Sequence, residues 1–126
     1  MKILLTIEEP VLAELLAFRL ELLGHQVDIR TNAAQMYVSL QDTEYAMAII
    51  DTALPDSNVR DALVKLRGRW SKERLPVIVI SVDQSLEMVE QVIRSGADDY
   101  LLAPFDPQVL QTKLDRLLRA TRLAHV

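Results

Sequence analysis

Five times along the chain a short apolar run gives way to turn-forming residues and then to a segment of helical periodicity, and this alternation restricts the fold more than any other feature. Alternating strands and helices imply parallel strands joined by right-handed crossovers, with helices on both faces of one sheet. The expectation is an α/β fold, a doubly wound five-stranded parallel sheet with five helices. At 126 residues the chain has the size of one domain and can bury about two-thirds of the surface its unfolded form exposes. A single domain over residues 1–126 is therefore expected, with no linker, internal repeat or low-complexity segment.

The first unit runs from Lys2 to Ile7, breaks at Glu8 and Glu9, and continues into a helix entered at Pro10. Val11, Leu12, Leu15, Leu16, Leu20 and Leu23 keep helical spacing until Gly24 stops it. Val27 to Arg30 reads as an edge strand, and Thr31 or Asn32 caps a helix from Ala33 to about Leu40, with Met36, Tyr37 and Leu40 on its apolar side. Ala46 to Ile50 forms a third strand that meets Asp51. The turn-rich TALPDSN follows, with Ser57 or Asn58 capping a helix that carries Leu63, Val64 and Leu66. Trp70, beyond that helix, reads as covering the edge of the core. Residues 76–81, PVIVIS, are the clearest buried strand, and Asp83 or Ser85 begins the helix of Leu86, Val89, Val92 and Ile93 that ends at Gly96. Tyr100 to Leu102 is the fifth strand, and Asp106-Pro107 opens a last helix with Leu110, Leu114, Leu117 and Leu118 inward.

Composition excludes several classes. A net charge of −4 argues against nucleic-acid binding through a broad basic surface. The basic residues of the last helix, Lys113, Arg116, Arg119 and Arg122, alternate with leucines that include Leu123, and read as a solvated amphipathic face; a subunit or domain contact is the alternative. No apolar run approaches the roughly 20 residues that span a bilayer, so no membrane association is expected. The opening MKILLTIEE lacks the features of a signal peptide, and with no cysteine the chain reads as cytoplasmic. The first turn, IEEP, is not the glycine-rich turn of a dinucleotide site, and no phosphate-binding loop is present.

Chemistry in an open parallel sheet collects at the carboxyl ends of the strands. There the expected sheet brings together Ile7-Glu8-Glu9, Asp51, and Ser81 beside Leu102-Ala103-Pro104. Carboxylates with a hydroxyl suit a hard cation such as magnesium, which prefers oxygen ligands. Acidic loop residues are common, however, and spacing alone does not make this a metal site.

Four segments carry a resemblance over almost the whole chain: KILLTIEEP, IIDTALPDSNV, PVIVISV and GADDYLLAPFDP. Together they resemble the response-regulator receiver family, the CheY-like phosphoacceptor domains of two-component signalling. The resemblance implies a flavodoxin-like, CheY-like (βα)5 fold. It places Asp51 at the phosphoacceptor, Ser81 at the switch hydroxyl, Tyr100 at the rotating aromatic and Glu8 at the second of two metal-binding acids. It also implies a cis peptide before Pro104. Ile7 stands where the first acid is expected, Ala103 where a lysine is expected, and Asn58-Val59 where an aspartate-glycine pair is common.

These departures touch chemistry. Ile7 removes an oxygen ligand, so magnesium affinity through Glu8 and Asp51 should be weakened or lost. Ala103 removes the donor that the family directs at a phosphoryl oxygen. Loss of such a donor commonly costs about 2.7–4 kcal/mol in enzymes, about a hundredfold or more in rate. One acid and one lysine are lost together, so the formal charge of the site stays about that of a typical member, which is compatible with a settled metal-free fold.

The leading expectation is thus an atypical receiver acting as a protein-interaction module, with phosphorylation of Asp51 weakened or absent, and no enzyme beyond self-catalysed phosphoryl transfer. A working magnesium-dependent phosphoacceptor served by a histidine kinase is the alternative, and a small-molecule binder at the same sheet edge is a third class. Partners would be a histidine kinase or an output or target protein. The fourth helix, fifth strand and fifth helix, the family's usual contact surface, offer Arg94, Asp98, Asp99, Lys113 and Arg116 for a homodimer, with Asp98 and Asp99 reaching Lys113 or Arg116 across it. His25 and His125 receive no phosphotransfer role. If the chain belongs to a longer protein, its basic final helix would lead toward an output domain.

Overall fold

A computed structural model describes residues 1–124, with side-chain burial for residues 1–120. His125, and the side chains of Arg122 and Leu123, lie outside the described residues. The order is β1 (Lys2–Thr6), α1 (Pro10–Leu22), β2 (Gln26–Arg30), α2 (Ala33–Asp42), β3 (Met47–Asp51), α3 (Val59–Arg67), β4 (Val77–Ser81), α4 (Leu86–Ser95), β5 (Asp99–Leu102) and α5 (Pro107–Ala124). All pairings are parallel, in the order β2-β1-β3-β4-β5. The α/β doubly wound architecture is therefore as the alternation implies. Among the described residues no helix is long and apolar enough to cross a membrane.

Every residue of β3 and β4 is buried, whereas the edge strand β2 has none buried. Strand alternation divides the core in two. Ile3, Leu5, Ile7, Met47, Ile49, Ile78, Ile80 and Leu101 pack with α1 and α5; Leu4, Ala48, Ile50, Val77 and Val79 pack with α2, α3 and α4, and Trp70 rests against the margin of this second cluster. Side chains start four of the helices where the sequence offers caps: Asn32 accepts from Gln35 N, Asn58 from Asp61 N, Ser85 from Met88 N, and Asp106 from Gln108 N. Glu9 caps α1, its two oxygens accepting from Val11 N at 3.1 Å and Leu12 N at 2.7 Å.

At the opposite end of the sheet from Asp51, Arg67 ties α3 to the entry of β5. Its guanidinium donates to the carbonyls of Gly96, Trp70 and Leu75 at 2.8, 3.2 and 2.7 Å and to Asp98 Oδ2 at 2.9 Å, and that same oxygen accepts Val77 N at 2.8 Å. Burial pulls the Arg67 pKa down while Asp98 pushes it back up. Gly96 has φ of +125°, and a Cβ there would lie 2.5 Å from Arg67 Cγ, so both backbone and packing require glycine.

Replacing Arg67 by Met should leave the Asp98 carboxylate without its cation and three carbonyls without their donor. The expected loss is about 3 kcal/mol, the low end for breaking a buried pair because both side chains retain some exposure. Urea unfolding should show it as a lower midpoint with an unchanged slope.

Candidate functional site

Asp51 is the last residue of β3 and is 8% exposed. Its Oδ1 accepts the amide of Ala53 at 3.0 Å, which turns the chain out of the strand. Ser81 ends the neighbouring β4 and is also buried. Its Oγ accepts from Thr52 Oγ1 at 2.9 Å and from Asp83 N at 3.1 Å, so the hydroxyl next to Asp51 is held from both sides. The Tyr100 hydroxyl donates to the carbonyl of Asp83 at 2.6 Å, fixing the β4–α4 loop from β5. Ser85 N and its side chain hold the Asp83 carboxyl below the usual carboxylate range.

The remaining candidates divide. Glu8 is exposed at the end of β1, but Glu9 is committed to the N-terminus of α1 and does not join Asp51. Ile7 is fully buried and Ala103 is 7% exposed, and both belong to the same apolar cluster as Ala13, with Phe105 packed against it. The peptide between Ala103 and Pro104 is cis. Core packing thus extends to the positions where an acid and a lysine are expected. Among the described residues no group of three His, Cys, Asp or Glu side chains could hold a metal ion. Glu8 and Asp51 remain as two carboxylates near these strand ends, and magnesium is commonly held through one or two carboxylates together with waters.

The charged residues expected at the contact surface also have partners inside the chain. Asp98, just before β5, pairs with Arg67 of the same chain at 2.9 Å. Asp99 accepts from Lys113 Nζ at 2.8 Å and also pairs with Arg116, again inside one chain. Arg94 remains exposed on α4. Apolar groups on the same three elements are open to solvent: Ile93 on α4, Leu102 on β5 and Val109 on α5.

The family of the Response regulator receiver domain matches residues 3–115. The chain belongs to that family. It is 31% identical over 121 residues to the transcriptional regulatory protein QseB of Escherichia coli O157:H7, covering 96% of this chain and 54% of QseB. It is 32% identical to the virulence transcriptional regulatory protein PhoP of Salmonella typhimurium, covering 94% of this chain and 52% of PhoP. The chain thus spans about half the length of these relatives. Among solved structures, a two-component response regulator from Clostridium difficile superposes with a TM-score of 0.88 at 22% identity, covering 94% of this chain and 96% of the other, a likeness of fold. The receiver domain of the sensor histidine kinase PA1611 from Pseudomonas aeruginosa, which holds magnesium in its active-site cleft, superposes at 0.84 with 26% identity over 93% of this chain and 96% of that one. The chain is therefore the receiver of a two-component response regulator, a signalling module.

Two contributors escaped the sequence reading. Thr52, beside Asp51, gave a signal in its hydroxyl, since it follows the strand-end carboxylate directly. Asp56 reads only as a turn former, yet its two oxygens accept Ala33 N at 2.8 Å and Ala34 N at 3.0 Å, joining the β3–α3 loop to α2.

Those two amides hold the Asp56 carboxyl below its ordinary value of 3.8. A depressed pKa in the folded state contributes stability that is present above the unfolded value and lost as pH falls through the folded one. The thermal midpoint should therefore fall more steeply between about pH 5 and about pH 2 for the native chain than for Asp56→Asn. Parallel midpoints for the two proteins across that range would contradict it.

Proposed function

We propose that residues 1–126 form one atypical receiver domain that works mainly as a protein-interaction module, with magnesium binding and phosphorylation at Asp51 weakened or absent. The observation that carries this reading is the burial of Ile7 and Ala103 in one apolar cluster at the strand ends. A carboxylate at position 7 would need a partner to enter that cluster, and a lysine at 103 would supply one. With both replaced by hydrocarbon, the core is satisfied without either charge. Asp51 keeps its place but lacks a lysine at 103 and an acid at 7, the one to neutralise an arriving phosphoryl group and the other to help hold a metal that would.

The contact surface in this reading is the face of α4, β5 and α5, bearing Arg94, Asp99, Lys113 and Arg116. Its ion pairs close within the chain and exposed pairs contribute only about 0–1 kcal/mol each, so Ile93, Leu102 and Val109 would supply the attraction. The partner is a target or output protein, a histidine kinase, or a second copy of the chain, and the setting is the cytoplasm. One arrangement favours the alternative, a working phosphoacceptor: Thr52, Ser81, Asp83 and Tyr100 are linked by hydrogen bonds beside Asp51, whose own Oδ1 accepts from Ala53 N.

Intact mass after incubation with a small phosphodonor and magnesium separates the two. The native chain should gain a phosphoryl group slowly or not at all, while the double variant Ile7→Asp with Ala103→Lys should gain it about a hundredfold faster or more. A rapid magnesium-dependent addition to the native chain that disappears in Asp51→Asn would establish the alternative.

A further inference from the structure

Helix α1 is apolar on two opposite faces. Ala13, Leu16, Ala17 and Leu20 are buried against the sheet. With 3.6 residues per turn, Val11, Leu15, Phe18 and Leu22 fall about 180° away from them. Those four are 62%, 55%, 57% and 61% exposed. Single exposed apolar side chains are ordinary, but a continuous line of them marks a contact surface. Steps of four, three and four residues are the steps of a two-stranded coiled-coil seam.

The flanks of the line differ in charge. Glu14 and Glu21 lie along one side, and Leu12 and Arg19 along the other. Among the described residues Glu14, Arg19 and Glu21 form no ion pair within the chain.

We propose that this line is a seam on which α1 packs, parallel and in register, against α1 of a second copy of the chain. An antiparallel pairing would set the glutamate flank of one helix against the glutamate flank of the other. A parallel pairing about a two-fold axis brings Glu14 opposite Arg19 of the second copy, and the symmetry repeats the contact in the other direction. Because the seam points directly away from the buried face, the two sheets lie on the outer sides of the helix pair and do not meet. The thirteen residues of α1 make a contact about 20 Å long. That places it among the smaller specific interfaces, below about 1,200 Å² in total, so the dimer forms reversibly and with concentration. It depends neither on Asp51 nor on the face of α4, β5 and α5.

The absence of cysteine from the chain permits a direct test. Leu15→Cys and Phe18→Cys are made separately and oxidised mildly, alone and mixed. Parallel, in-register pairing places each position opposite its own counterpart, so each variant alone should form a disulfide-linked dimer. Sedimentation equilibrium of the cysteine-free protein should show a reversible dimer that Phe18→Glu abolishes and Val109→Glu, on the other face, leaves intact. Glu14→Arg should weaken it, and adding Arg19→Glu should restore it; circular dichroism checks that each variant is folded. A disulfide formed only in the mixture would show antiparallel packing and overturn the proposal. So would a dimer that survives Phe18→Glu, or a native chain that stays monomeric at all concentrations, which would leave the seam to a helix of another protein.

Discussion

Burial of β3 and β4 on both faces is the constraint on which the rest of the molecule depends. Parallel strands cannot be joined by tight hairpins, so each return crosses the sheet as a helix, and helices on both faces leave the central strands no contact with water. Strands of this kind tolerate only apolar side chains until their ends. Asp51 and Ser81 are the first polar side chains that β3 and β4 present, and they do so side by side because the strands are adjacent. The position of the site is thus a product of packing, and it would persist whether or not the site reacts.

One layer further out stand residues that adjoin those strands without belonging to them. Ile7 follows β1 and Ala103 follows β5, so the two lie at the ends of different strands yet enter the same apolar cluster. A change at either alone would put a charge beside hydrocarbon. Their joint apolar character explains how the fold can keep its buried layer continuous up to the edge where Asp51 sits.

Much of this was legible in the sequence where the physical signal is local. Asn32, Asn58, Ser85 and Asp106 cap helices because short polar side chains reach amides two or three residues ahead. Ile7 and Ala103 could be marked as departures because the surrounding motifs fix their positions. Residues whose partners are remote in sequence were not legible. Arg67 looks like a solvated helix residue until Asp98, 31 positions later, is brought against it. Asp98 in turn looks like a surface charge until the strand places it. Leu15 and Leu16 both fit a helical apolar pattern, but only the sheet decides that one is buried and the other faces outward.

The carboxylate of Asp56 gives the loop after β3 a mechanical property. One of its oxygens holds Ala33 N and the other holds Ala34 N, so the link resists rotation as well as separation, as a bracket does and a single pin does not. The loop leaving Asp51 and the first turn of α2 are consequently tied at two points. A displacement of that loop away from the sheet would have to break both bonds or carry the start of α2 along with it.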